Sequence, residues 1–150
     1  MYVKEASLKP TCSPPNILIV DDNLQRRRAC ADALAHNNYN LVTSGMCADV
    51  QGLIQETHPD LLVLDGSPSI PDSTDGIEIC RELKQHRRSD VPYIVLLHDP
   101  DIPPRQVKLA GADETLALPV SDRELRMCVR AALQLRAERS DRERELQLIN

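Results

Sequence analysis

The sequence predicts an α/β domain built on a doubly wound parallel sheet of five strands, with an extended C-terminal helix. Five short apolar runs alternate with segments of helical character, and the three strongest runs are continuous instead of alternating. Continuous apolar runs indicate strands that are buried on both faces, as in a parallel sheet between two helical layers. Regular alternation of strand and helix implies right-handed crossovers, which place helices on both faces. A chain of 150 residues is long enough for one such domain.

The apolar runs place the strands, and the segments between them place the helices. Strands are predicted at residues 17–20, 41–43, 61–64, 93–97 and 115–117. Helices are predicted at residues 24–35, 48–57, 76–85 and 105–110, and from 122 onward. Breaking residues agree with these bounds, because Asn37 and Asn38 follow the first helix, Pro59 precedes the third strand and Gly111 follows the fourth helix.

Composition excludes several classes of protein. No apolar run approaches the roughly 18–20 residues that cross a bilayer, and residues 1–15 lack the apolar region of a signal peptide. We therefore expect a cytoplasmic protein with a flexible leader and no membrane contact. The net charge of −5, with dispersed acids, argues against nucleic acid as a partner of this chain. The cysteines lack metal-ligand spacing, which favours reduced thiols over zinc or disulfides: Cys12, Cys30, Cys47, Cys80 and Cys128.

Three carboxylates follow the first and third strands. Asp21 and Asp22 come directly after the first apolar run, and Asp65 comes directly after the third. Ligands in such sheets bind beyond the carboxyl ends of the strands, so these side chains should meet at one edge. Clustered carboxylates repel one another unless a cation lies among them, and oxygen ligands suit Mg²⁺. The alternative is that each aspartate only caps the helix that follows it.

Five blocks of sequence carry a family resemblance. They are ILIVDDN (17–23), HPDLLVLDG (58–66), DGIEICRELK (75–84), VPYIVLL (91–97) and GADETLALPVSDREL (111–125). In this order the blocks resemble the receiver domain of two-component response regulators over residues 16–135. The resemblance implies the flavodoxin-like (βα)5 fold and a signalling receiver in a phosphorelay, not an enzyme that turns over a small substrate. A metal-dependent phosphatase would need a second catalytic acid near Asp65, and Gly66 and Ser67 supply none.

The resemblance also implies roles for individual residues. Asp65 would accept a phosphoryl group from a histidine kinase or phosphotransfer protein. Asp22, Asp65 and the backbone carbonyl of Ser67 would bind Mg²⁺ directly, and Asp21 would bind it through water. Phosphoryl transfer depends mainly on positioning and on neutralising charge, which a carboxylate-bound Mg²⁺ supplies. Pro119 is a candidate for a cis peptide bond.

Three positions depart from the family pattern. Leu118 replaces the lysine that normally pairs with the phosphoryl group, and Thr115 replaces the aromatic switch residue. His98 stands at the position of the small hydroxyl residue, although a one-residue shift would place Leu97 there. His98 could supply the missing donor or simply face solvent. These changes leave a second hypothesis open, in which the chain is a degenerate pseudo-receiver that dimerises or docks a partner without phosphorylation.

The last predicted helix is longer than the sheet requires. Every third or fourth position forms a heptad pattern that two arginines interrupt: 125, 128, 132, 135, 139, 142, 146 and 149. We therefore predict a homodimer through residues 122–149, with residues 136–150 as a helical linker or coiled-coil extension. The linker would pass the signal to an output domain beyond this chain. The loop after Asp65 (66–76) is longer than the family's turn and is expected to lie over the acidic edge.

Overall fold

Strands and helices alternate along the whole described chain. The computed structural model describes residues 13–45, 49–67, 75–85 and 91–149. The strands are β1 (Asn16–Val20), β2 (Asn40–Ser44), β3 (Leu61–Asp65), β4 (Tyr93–His98) and β5 (Glu114–Ala117). The helices are α1 (Leu24–Leu34), α2 (Val50–Thr57), α3 (Gly76–Gln85), α4 (Pro104–Leu109) and α5 (Asp122–Ile149). The predicted order of ten elements is confirmed, with bounds that shift by no more than two residues.

The five strands form one parallel sheet in the order β2-β1-β3-β4-β5. Val20 at the end of β1 pairs with Leu64, so the carboxyl ends of β1 and β3 are neighbours. Asp65 in turn pairs with Leu97 of β4. The strand order changes direction at β1, because β2 lies on one side of β1 and β3 lies on the other. This topology brings the carboxyl ends of β1 and β3 to one edge.

The core has two layers because successive side chains of a strand point to opposite faces of the sheet. One face carries Leu18, Leu62 and Ile94 and is covered by α2, α3 and α4. The other face carries Ile19, Val63 and Val95 and is covered by α1 and α5. All five residues of β3 are buried, as the continuous apolar run predicted for a central strand of a parallel sheet.

Helix α5 uses its apolar face inside its own domain. Leu125, Val129 and Ala132 are no more than 1% exposed and pack against the sheet. Further along, the guanidinium of Arg136 lies 3.7 Å from Asp60, and that of Arg139 lies 5.0 Å from the ring centroid of Tyr93. These contacts tie the helix to the amino-terminal edge of the sheet.

This packing corrects part of the predicted dimer pattern. Leu125, Cys128 and Ala132 were assigned to an intermolecular surface, but they pack against the domain's own core. The repeat of apolar residues does not distinguish a partner helix from the chain's own sheet, since both take an apolar face of similar spacing. The exposed leucines of the pattern are Leu135 and Leu146, at 48% and 57%. The side chain of Ile149 lies outside the described residues.

No helix within the described residues is long and apolar enough to cross a membrane.

Candidate functional site

Asp21 and Asp65 lie together at the carboxyl edge of the sheet. Asp21 follows the last residue of β1, Asp65 is the last residue of β3, and each is 1% exposed. Both positions continue the alternation that points Ile19 and Val63 toward α1 and α5. The sequence prediction that these carboxylates meet at one edge agrees with this arrangement. Asp22 is half-buried beside them.

The cation that joins the two buried carboxylates is Arg26, in the first turn of α1. Its Nε donates to Asp21 Oδ2 at 2.6 Å, and its Nη2 donates to Asp21 Oδ1 at 3.0 Å. The same Nη2 donates to Asp65 Oδ2 at 2.8 Å. One guanidinium nitrogen therefore touches both acids, which marks a single point on which their oxygens converge. The Arg26 side chain is 23% exposed, so its outer side still meets solvent.

Arg26 was not predicted as a site residue, although the sequence carries a signal for it. Arg26, Arg27 and Arg28 stand in the first turns of α1, where the helix dipole disfavours positive charge, and no acid occupies the first turn. Arg27 donates to the backbone carbonyl of Asp21 at 2.8 Å. Burial lowers the pKa of Arg26, but its contacts with Asp21 and Asp65 outweigh burial and leave that pKa raised. Basic residues at an unfavourable helix end indicate nearby acids.

Helix capping explains only part of the acidic cluster. The N-cap of α1 is Asn23, whose side-chain oxygen accepts a hydrogen bond from the amide of Arg26 at 2.9 Å. Asp21 accepts the amide of Asn23 at 2.9 Å, and it thereby orders the turn before the helix. The cap position itself is not filled by Asp21 or Asp22, so capping does not account for two buried carboxylates side by side.

Asp65 is held by donors on both of its oxygens. The amide of Ser67 donates to Oδ1 at 2.8 Å, and Arg26 donates to Oδ2. Burial raises the pKa of Asp65 to about 6; the Ser67 amide and the Arg26 charge oppose this rise, and the nearby Asp21 charge adds to it. The carboxylate is therefore harder to ionise than an exposed aspartate, yet it is ionised at neutral pH.

The donor set of this edge fits a hard cation. Carboxylate oxygens of Asp21 and Asp65 converge on one point, and the hydroxyl of Ser67 is buried with no hydrogen-bond partner among the residues described. Within those residues, no group of three or more acids, histidines or cysteines has the arrangement of a metal site. The guanidinium of Arg26 lies between Asp21 and Asp65, where a cation shared by the two carboxylates would bind.

The residues that depart from the family pattern do not add a polar contact to Asp65 among the described residues. Leu97, and not His98, is the residue paired with Asp65, and it is 1% exposed. His98 and Thr115 line a separate shallow pocket beside α4 and β5, and the His98 Nδ1 lies 3.1 Å from the carbonyl of Asp99. Among the described residues, no hydrogen bond or ion pair joins either of them to Asp65. Which of Leu97 and His98 takes the position of the family's hydroxyl residue stays a prediction.

Leu118 directly follows β5, at the carboxyl edge of the sheet. It is half-buried and packs against the cluster that α1 and α5 cover, together with Leu116 and Val120. The peptide bond between Leu118 and Pro119 is cis. Most of the long loop after Asp65, residues 68–74, lies outside the described residues, so its predicted position over the acidic edge stays a prediction.

The described cysteines are free thiols. Burial raises the pKa of Cys30 to about 11, of Cys80 to about 12 and of Cys128 to about 11. Thiols with such high pKa values stay protonated and are poor nucleophiles and metal ligands. Cys12 and Cys47 lie outside the described residues.

Comparisons with known proteins agree with this fold. Residues 17–130 match the family described as the response regulator receiver domain. A protein named "Probable transcriptional regulator ycf27" from Cyanophora paradoxa is 34% identical over 118 residues, which are 78% of this chain and 47% of that protein. The chain spans about half the length of the curated relatives it matches.

Two solved structures superpose over most of their length. A response regulator receiver domain protein (CheY-like) from Methanospirillum hungatei JF-1 has a TM-score of 0.72 and 20% identity, covering 85% of this chain and 99% of that chain. The structure titled "BeF3 Activated DrrB Receiver Domain" has a TM-score of 0.64 and 25% identity, covering 81% of this chain and 98% of that one.

Proposed function

Because the chain belongs to the response regulator receiver domain family of two-component systems, we propose that Asp65 is its phosphoacceptor. The partner would be a histidine kinase or a phosphotransfer protein, and the chain itself would be a signalling component and not an enzyme. The observation that supports this most directly is the buried Asp65 carboxylate with a donor on each oxygen. We also propose the cytoplasm as the compartment, since the described cysteines are free thiols.

The proposed step transfers a phosphoryl group from a histidine side chain of the partner to Asp65. A carboxylate oxygen of Asp65 forms an O–P bond while the N–P bond of the partner's phosphohistidine breaks, and the imidazole leaves with the electron pair. Asp65 must be ionised to attack, and a pKa of about 6 permits this at neutral pH. The Ser67 amide orients the carboxylate by holding its Oδ1.

Divalent metal is part of the proposal. Asp22, Asp65 and the carbonyl of Ser67 would hold Mg²⁺, with Asp21 acting through water. Bound there, the ion supplies positive charge that neutralises the phosphoryl oxygens. Its role is greater here because Leu118 brings no cation to the site.

Asp65→Asn should abolish phosphorylation. After incubation with acetyl phosphate and Mg²⁺, the intact mass of the wild-type chain should increase by one phosphoryl group, and that of the variant should not. Asp99→Asn is the matched control, since Asp99 is an exposed acid at the end of the neighbouring strand β4. A wild-type chain that gains no mass would refute the phosphoacceptor proposal, and gain of the same mass by Asp65→Asn would assign the phosphoryl group elsewhere.

A degenerate receiver is the second candidate, favoured by the packing around the site. Leu118 is half-buried against the core, Thr115 is exposed, and Leu97 places a buried apolar side chain beside Asp65. None of these groups senses a phosphoryl group as a lysine, aromatic or hydroxyl side chain does. In this alternative the chain docks a partner or dimerises regardless of the state of Asp65.

Dimerisation through α5 is proposed for either candidate, now restricted to its exposed leucines. Leu135 and Leu146 lie three turns apart on one side of the helix, and a buried leucine stabilises by roughly 1.5–3 kcal/mol. We expect the unphosphorylated chain to be a dimer by light scattering, and the double variant Leu135→Glu, Leu146→Glu to be a monomer.

The control for dimerisation is Leu109→Glu, which changes an equally exposed leucine on α4. It should remain a dimer. Point variants are preferable to truncation, because removal of residues beyond 133 would also delete the contacts of Arg136 and Arg139 with the domain. A wild-type chain that is monomeric until phosphorylated would contradict constitutive pairing.

A further inference from the structure

We propose that Arg26 is the resident cation of the acidic edge, and that a divalent ion binds there only by displacing its guanidinium. The inference rests on the proposed phosphoacceptor site and assigns that site an intramolecular competitor. It starts from one contact: Arg26 Nη2 lies 3.0 Å from Asp21 Oδ1 and 2.8 Å from Asp65 Oδ2. The nitrogen occupies the point that the two carboxylates share.

Charge explains why the guanidinium stays at this point. Two buried carboxylates at close range need a cation between them, because each raises the cost of ionising the other. Among the residues described, no other lysine or arginine side chain forms an ion pair with Asp21 or Asp65. The family's lysine is replaced by Leu118, so within the described part of the chain Arg26 is the cation that balances the pair.

The position of Arg26 in α1 makes it removable. Its side chain keeps 23% exposure, which leaves a route to solvent by rotation of the side chain alone. The helix start stays anchored meanwhile, since Asn23 caps it and Arg27 donates to the carbonyl of Asp21 at 2.8 Å. Displacement therefore requires no movement of the backbone.

The consequence is a site that is closed at rest. While Arg26 binds Oδ2 of Asp65 and the Ser67 amide binds Oδ1, both oxygens of the phosphoacceptor are engaged. A divalent ion that replaces the guanidinium would free Arg26 and would supply at Asp65 the positive charge that neutralises the oxygens of the incoming phosphoryl group. Divalent-ion concentration would thus set the fraction of chains ready to accept phosphate.

Titration of the full chain with Mn²⁺, followed by the loss of the free-ion signal in electron paramagnetic resonance, tests the competition. Arg26→Gln should bind Mn²⁺ about tenfold or more tightly than wild type, because the bound ion no longer displaces a charge held by two carboxylates. Arg28→Gln is the matched control, since Arg28 is exposed on the same helix and its loss changes the net charge equally. Its affinity should equal that of wild type.

Each other result overturns the proposal. Equal or weaker binding by Arg26→Gln would show that Arg26 does not compete, and equal gains in both variants would reduce the effect to net charge. No binding by any variant would mean that no cation site exists for Arg26 to close. Phosphorylation of Asp65 is measured separately by intact mass with acetyl phosphate, so failure of the metal competition and failure of the phosphoacceptor are distinguishable.

A more conservative substitution provides the test if the first variant does not fold. If Arg26→Gln unfolds in chelator, Arg26→Lys carries the same test, because its ammonium is a point charge that lacks the planar fork. It should bind Mn²⁺ more tightly than wild type and Arg28→Gln do, but less tightly than a site without any competing cation. Affinity for Mn²⁺ at or below wild type in Arg26→Lys would contradict the competition.

Discussion

Gly76→Ala should lower the free energy of unfolding by about 3 kcal/mol, because the added methyl group has no space. Gly76 opens α3 and lies directly against the backbone that follows β3. A Cβ at this position would overlap the carbonyl oxygen of Asp65 and lie 2.7 Å from its carbonyl carbon and 2.9 Å from the Cα of Gly66. These are backbone atoms at the end of a buried strand, so they cannot yield as a flexible side chain does.

Urea unfolding followed by circular dichroism measures the loss. Gly52→Ala is the control, since its added methyl group would lie 2.6 Å from the terminal oxygen of Asp49, the end of an exposed side chain. That variant should change stability by less than about 1 kcal/mol, because alanine also favours a helix over glycine. Equal stability of Gly76→Ala and wild type would mean that α3 can move away from β3 at little cost.

The order of strands and helices could be predicted because strands that are buried on both faces consist of apolar residues. The residues of β3 and nearly all of β4 are buried on both faces, so both strands are continuous apolar runs. Strand β5 lies at an edge of the sheet and exposes Glu114 and Thr115, which is why it is not a continuous apolar run. Gly111 ends the segment after α4 with a φ of +78°, where glycine is favoured over other residues.

The partner of α5 could not be read from its sequence. An apolar residue every third or fourth position shows that a helix has a buried face, but not what buries it. Leu125 and Ala132 pack against the sheet, whereas Leu135 and Leu146 are exposed. The apolar pattern is continuous, but its residues become exposed where the helix extends beyond the sheet. The sequence of the helix does not mark that position.

The site was predictable where it depended on strand ends and not where it depended on side-chain reach. Asp21 follows β1 and Asp65 ends the adjacent parallel strand β3, so topology alone brings them together. Arg26 reaches them from a helix, and its contacts depend on how α1 packs over the sheet and on the rotamer of a long side chain. The register of β4, which pairs Leu97 and not His98 with Asp65, likewise follows from packing.

Asp65→Asn should stabilise the chain above pH 6 in the presence of a chelator, and the gain should disappear below about pH 4. The pKa of Asp65 is about 6 in the folded chain, against an ordinary value of 3.8, because burial penalises its charge. Between these values the folded state holds a proton that the unfolded state has lost, so the free energy of unfolding falls as pH rises through this window. Above it, wild type carries the full cost of a buried carboxylate, about 1–3 kcal/mol.

Urea unfolding of wild type and Asp65→Asn at several pH values between 4 and 8 should show two curves that diverge as pH rises. Asparagine keeps the size of the side chain and has no charge to bury, so its curve lacks this contribution. The control is Asp99→Asn, which changes an exposed acid at the same edge and should follow wild type at every pH. If Asp65→Asn is instead less stable than wild type at pH 7.5, the ion pair between Arg26 and Asp65, 2.8 Å long, contributes more than burial costs.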